Sequence, residues 1–172
     1  MRLRRPQLGK AAVVGLASGL IAAWTMNQFQ EVLARFSQSH QDAAQQPLEP
    51  QEESEDATMK AANKISRNVL HRELSRQEKK IFGPVVHYAF GGTMGALYAV
   101  AVELAPRAVT GGFGTRFGTT LFAVADELAV PSFGLSKGPK EVPLSSHTSA
   151  LFAHLAYGVT LETVRRVSMA IF

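Results

Sequence analysis

The chain has 172 residues, a formal net charge of +4 and no cysteine, a length that sets one domain, residues 1–172. The lack of cysteine excludes disulfides, a thiolate nucleophile and Cys-ligated metals. No Lys/Arg run is interleaved with aromatics, so nucleic acid is not an expected partner. Mean hydropathy is only +0.02, but charge is segregated: residues 36–80 hold eight acids and seven bases, and long uncharged runs fill the rest.

The apolar core of a bilayer takes about 20 residues of helix. Ala11 to Gln30 carries no charge and follows Arg2, Arg4, Arg5 and Lys10. It is the first candidate span, placed at 11–33. A secretory signal, with basic start and apolar middle, is the rival reading. No small-x-small cleavage site follows Trp24, and residues 27–31 read as continuing helix. Phe36 to Asp56 is rich in Gln, Ser, Pro and acid and reads as a flexible polar loop; the whole polar tract is set at 36–80.

From Ala57 the tract turns basic, through Lys60, Lys64, Arg67, Arg72 and Arg76, with Ile65, Val69, Leu70 and Leu74 on an apolar side. This predicts an amphipathic helix that lies on a membrane surface or, equally, a solvated one. Ser75 and Glu78 match a capping box, so a helix starts there. Gly83-Pro84 is expected to interrupt or restart it. Ile81 to Val102 is uncharged and gives the second span, 82–104.

The third span, 108–133, carries Arg116, Asp126 and Glu127 and ends at Pro131 and Gly134. Ser132 to Ser146, with Pro139 and Pro143, reads as a short connection. Its Lys137 and Lys140 reach lipid headgroups, pair with Asp126 or Glu127, or are simply solvated. Val142 to Leu161 is uncharged, contains His147 and His154, and precedes Glu162, Arg165 and Arg166. It gives the fourth span, 146–168.

The expected fold class is therefore all-α: a polytopic four-helix transmembrane bundle with an extra amphipathic helix in its first loop. Four spans put both termini on one side. The basic N-terminal tail, Arg107, Arg165 and Arg166 favour N-in and C-in, against seven Lys/Arg in the long loop. Lipid offers no hydrophobic drive for helix association, so close backbone approach has to supply it. Gly15 with Gly19, Gly91 with Gly95, and Gly114 with Gly118 provide three small-xxx-small pairs, for an internal bundle or for a homodimer.

Charge inside a span costs roughly 2.5 to 3.5 kcal/mol at the helix centre on insertion scales. Arg116, Thr120, Ala123 and Glu127 share one helical face, with Asp126 about 100° around it. His147, Leu151, His154 and Gly158 form a face that Glu162 extends; His87, Gly91, Met94 and Tyr98 form another. The candidate polar cluster is His87, Arg116, Asp126, Glu127, His154 and Glu162. Such a cluster relays protons, holds a divalent metal, or is merely satisfied by neighbouring helices. Glu162 with Arg166 and Glu31 with Arg35 have the spacing of ordinary ion pairs. No HExxH, GxSxG or phosphate-loop motif is present. No catalytic residue, metal ligand or cofactor is assigned.

Four groups of residues together resemble the YagU-like family of bacterial inner-membrane proteins of unknown function. They are Gly15 to Gly19, His87 to Gly91 with Gly95 to Tyr98, Asp126-Glu127 with Pro131 and Gly134-Leu135, and His154 to Gly158 with Glu162 to Arg166. The resemblance covers the four spans and not residues 36–80. It implies a bacterial cytoplasmic-membrane location and a polytopic helical fold, and brings no catalytic residues. The expected function is a non-enzymatic accessory or envelope and stress role. Proton or ion handling by the His/carboxylate cluster is the alternative, and an intramembrane metal-dependent enzyme the second. The expected partners are the lipid bilayer and either another copy of the chain or another membrane protein.

Overall fold

The structure is a computed structural model and describes residues 7–41 and 55–171. Among these the chain is all-helical: α1 Leu8–Gln41, α2 Ala57–Val69, α3 Arg76–Leu104, α4 over residues 115–132, and α5 Leu144–Ile171. Single turns at Pro106–Val109 and Pro139–Glu141 lie on either side of α4. No strand is present among the described residues.

Local chemistry sets several boundaries. Asp56 caps α2 by accepting the Met59 N–H at 2.8 Å. Ser75 and Glu78 form the reciprocal box the sequence predicts, each accepting the other's backbone N–H. Arg72 grips the same Glu78 carboxylate with two nitrogens, at 2.7 and 3.1 Å. That guanidinium first, and the Ser75 N–H second, hold the Glu78 carboxyl down at about 2. Glu78 stands ahead of the apolar stretch that starts at Ile81. Two expectations are corrected here. α3 runs unbroken through Gly83-Pro84. α1 continues to Gln41, past the expected loop start at Phe36; the remainder of that loop, 42–54, lies outside the described residues.

Glycines set the register of the bundle. A methyl group added at Gly95 would stand 2.6 Å from the Gly19 Cα, and one at Gly19 would strike the Gly91 carbonyl. Gly15 meets Gly95 and Gly19 meets Gly91, so α1 and α3 are antiparallel. Tyr157 donates to the Gly91 carbonyl at 2.6 Å and Tyr98 to Glu162 at 3.0 Å, so α3 and α5 are parallel. Gly114 meets Gly158 and Gly118 meets His154, so α4 is antiparallel to α5. All three predicted glycine pairs are thus used inside the chain. The core between the helices is Ala22, Ala23, Met26, Tyr98, Val102, Ala153, Tyr157 and Leu161.

The outside of this bundle is apolar. Val13, Trp24, Ile81, Leu97, Leu128, Phe152 and Ile171 are each more than half exposed. Residues Leu8–Phe36 of α1 and all of α3 are long and apolar enough to cross a membrane, with mean hydropathy 1.4, and only 33% of either apolar window is buried. α2 packs by Thr58 and Met59 against Gly83 of α3, and buries Ala62 and Ser66. Its Ile65 and Val69, with the following Leu70, face outward.

Candidate functional site: a cavity walled by carboxylate–imidazole pairs

α4 is not a uniform helix. Thr115–Leu121 is α-helical, Phe122–Ala129 is wound in the wider π form, and Val130–Ser132 returns to α. The Val130 N–H reaches back five residues to the Ala125 carbonyl. Pro131 has no N–H, so the Glu127 carbonyl lacks its i+4 donor, which removes one constraint on the normal register. Wide turns of this kind concentrate at functional sites. Here the turn directs two adjacent carboxylates, Asp126 and Glu127, at one cavity of about 620 Å³. Portions of α1, α3, α4 and α5 line the cavity, with Ala57, Thr58 and Ala61 of α2 and the connection after α4 at one end. Lys64 ties these last two together by donating to the Phe133 carbonyl at 3.0 Å.

Glu127 meets His147 with Oε1 2.6 Å from Nδ1. The other ring nitrogen, Nε2, lies 2.9 Å from the Pro139 carbonyl. A carbonyl oxygen can only accept, so Nε2 carries hydrogen. One more proton must therefore lie between Nδ1 and Glu127. The pair is either imidazolium with carboxylate or imidazole with carboxylic acid, and its net charge is zero in both forms.

Asp126 is held differently. Its Oδ2 stands 3.7 Å from His154 Nδ1, beyond hydrogen-bond distance. That nitrogen's hydrogen goes to the Ala150 carbonyl at 2.9 Å. Among the described residues no donor reaches the Asp126 carboxylate within hydrogen-bond distance, while His154 itself is buried. His87 also lines the cavity; its Nε2 lies 3.4 Å from the Ala23 carbonyl.

The six sequence candidates separate into groups. His87, Asp126, Glu127 and His154 surround the cavity. Glu162 lies toward the opposite end of α5, fully buried, accepting from Tyr98, Arg165 and Arg166. Arg116 lies over Gly111, in the turn before α4. The six candidates do not include His147, which engages Glu127. A pairing 20 residues apart has no helical period to reveal it, but Pro131 four residues after Glu127 was a usable sign of a disturbed helix. Lys137 and Lys140, considered as partners for the two carboxylates, make no ion pair with them; both take histidines. Among the described residues no three His, Asp or Glu side chains stand close enough to hold a metal ion.

No curated protein matches the chain, and no solved structure does. One family model matches, described as a protein of unknown function (DUF1440), over residues 43–163. The match takes in the polar tract that the motif resemblance left out and stops short of α1, which that resemblance included. It covers well over half of the chain, from the polar tract to the Glu162 end of α5, and so contains the π turn and both carboxylate–imidazole pairs. The chain belongs to the DUF1440 family of proteins of unknown function.

Proposed function

We propose that this is a four-span integral membrane protein of the bacterial cytoplasmic membrane, of the YagU-like kind. The DUF1440 match supports that label, since the YagU family goes under that designation. Its role is a non-enzymatic accessory one, and its chemical work is proton exchange at the carboxylate–imidazole pairs. The membrane reading is supported by the inside-out distribution of side chains. The interior is rich in glycine and alanine, with Tyr98, Tyr157 and the Glu162 ion cluster, and holds few large aliphatics (Met26, Val102, Leu161), while many Leu, Ile, Val and Phe side chains and Trp24 are exposed. A monomeric soluble fold rarely exposes apolar surface on this scale. α4 spans residues 115–132, at most about 27 Å at the α-helical rise of 1.5 Å per residue and less through its π turn, against the roughly 30 Å of hydrocarbon it would cross.

One observation carries the proton reading. Glu127 and His147 stand 2.6 Å apart, and Asp126 and His154 3.7 Å apart, on the same cavity wall. Ionisable groups at membrane depth are costly and mark relays or ligand sites. Asp126, which no donor reaches within hydrogen-bond distance, is the exchanging member. Glu127 with His147 is the neutral reservoir beside it. The test is the full chain in lipid vesicles with a potassium diffusion potential and an internal pH dye. Proton entry should run about tenfold faster than in empty vesicles, a barrier change of about 1.4 kcal/mol. Asp126→Asn should return it to the empty-vesicle rate. Wild-type vesicles that match empty ones would sink the reading.

A further inference from the structure

We propose that the cavity beside Asp126 is a binding site for an organic monocation with an apolar body. Its volume, about 620 Å³, lies within the range of small-molecule sites. Its walls are mostly apolar, including Met26, Phe90, Met94, Leu121 and Val124. The polar groups among them are largely committed. Tyr157 gives its hydroxyl hydrogen to the Gly91 carbonyl. His154 gives its Nδ1 hydrogen to Ala150. Glu127 is neutralised by His147. The anion that remains is the Asp126 carboxylate, with a 37% exposed side chain and no hydrogen bond; Lys137 and His87 also line the cavity.

A carboxylate in a mostly apolar cavity, with His154 no closer than 3.7 Å and no hydrogen bond, is poorly compensated, and a cation placed against it supplies the missing charge. A neutral or anionic guest does not. A small metal ion needs several close oxygen or nitrogen ligands, and no such set stands here among the described residues. A diffuse charge on an apolar body needs only one counter-ion. It also gains from aromatic faces such as Phe90 and Tyr157 and from the polarisable sulfurs of Met26 and Met94. The inference rests on the proton reading to one extent: the same carboxylate takes either the proton or the cation.

The groups facing Asp126 set the pH response. They are His87 from α3, Glu127 on its own helix, His147 and His154 from α5, and Lys137 from the connection at the rim. Protonation of Asp126 in acid removes the charge that attracts a cation, so binding weakens as the pH falls.

The experiment uses the purified full chain in detergent and tetraphenylphosphonium, with binding measured by calorimetry at pH 8 and pH 5. Saturable one-to-one binding is expected at pH 8 and weaker binding at pH 5. Asp126→Asn should weaken it by about tenfold or more. Asp126→Glu keeps the charge and should bind within about fivefold of wild type, which separates loss of charge from loss of fold. Tetraphenylborate has the same shape and the opposite charge, and should bind far more weakly. Absence of saturable wild-type binding, unchanged binding by Asp126→Asn, or equal binding of tetraphenylborate would each overturn the proposal. Asp126-dependent binding with no vesicle proton flux supports the cation site and removes the proton reading. Proton flux without cation binding does the reverse.

Discussion

Glu162 shows what a satisfied buried charge looks like in this chain. Both its oxygens are engaged: Oε2 accepts from Tyr98 at 3.0 Å and Arg165 at 2.7 Å, and Oε1 from Arg165 at 3.0 Å and Arg166 at 2.5 Å. Removing one partner of a buried ion pair strands the other, at about 3 kcal/mol or more. Removing the neutral Tyr98 hydroxyl loses one hydrogen bond of about 1 kcal/mol. Glu162→Gln should therefore lower the detergent-state melting temperature clearly more than Tyr98→Phe. Equal shifts would mean that the arginines find water instead. Part of this clamp is legible in the sequence, because Glu162 and Arg166 are one helical turn apart. The Tyr98 contact is not, since helical period shows which residues share a face but not which depth on one helix meets which depth on another. For the same reason, the candidate cluster joins Glu162 and Arg116 to Asp126, whereas the structure places both away from the Asp126 cavity.

Among the elements, the long helices follow from uncharged runs and caps, and the Ser75–Glu78 box marks the start of α3 by residue type alone. Two irregularities do not follow. Gly83-Pro84 reads as a break, yet Gly83 packs against Met59 and Thr58 of α2, a tertiary contact that no local propensity encodes. The π turn at Phe122–Ala129 likewise depends on what surrounds α4. The glycine pairs are the element-scale feature with the sharpest consequence. At Gly95 a methyl group would meet the Gly15 carbonyl and lie 2.6 Å from the Gly19 Cα, whereas nothing stands within 4 Å of one at Gly9. Backbone cannot move aside as a side chain does. Overpacking of this kind costs about 1–3 kcal/mol, so Gly95→Ala should lower the thermal midpoint in detergent. Gly9→Ala should leave it unchanged or raise it slightly through helix propensity. A tolerated Gly95→Ala would show that α1 and α3 do not meet at this register.

For the whole molecule, the helix with the most interior charge, α4, is the one that the topology requires as the return from α3 to α5. α3 and α5 lie side by side and parallel, as the Gly91–Tyr157 and Tyr98–Glu162 contacts establish. A chain that leaves the end of α3 at Leu104 must return across the full thickness of the bundle before α5 begins at Leu144. Only α4 makes that return, so if α3 crosses a membrane, α4 crosses it too, despite Arg116, Asp126 and Glu127. The charged groups fit this path. Arg116 lies near the turn by which α4 starts, and Glu127 near the end by which it leaves. At the first of these ends the Gln7 N–H also meets Glu103 at 3.0 Å, which places the start of α1 beside the end of α3. α2 and the connection after α4 occupy the other end. Reporter fusions read this arrangement directly. With N-in orientation, a reporter after Arg35 should be periplasmic, and reporters after Arg107 and Phe172 cytoplasmic. Inversion of all three would reverse the orientation and keep four spans. A periplasmic reporter after Phe172 with a cytoplasmic one after Arg107 would mean that α4 does not cross, and the parallel packing of α3 and α5 could not then hold in the membrane.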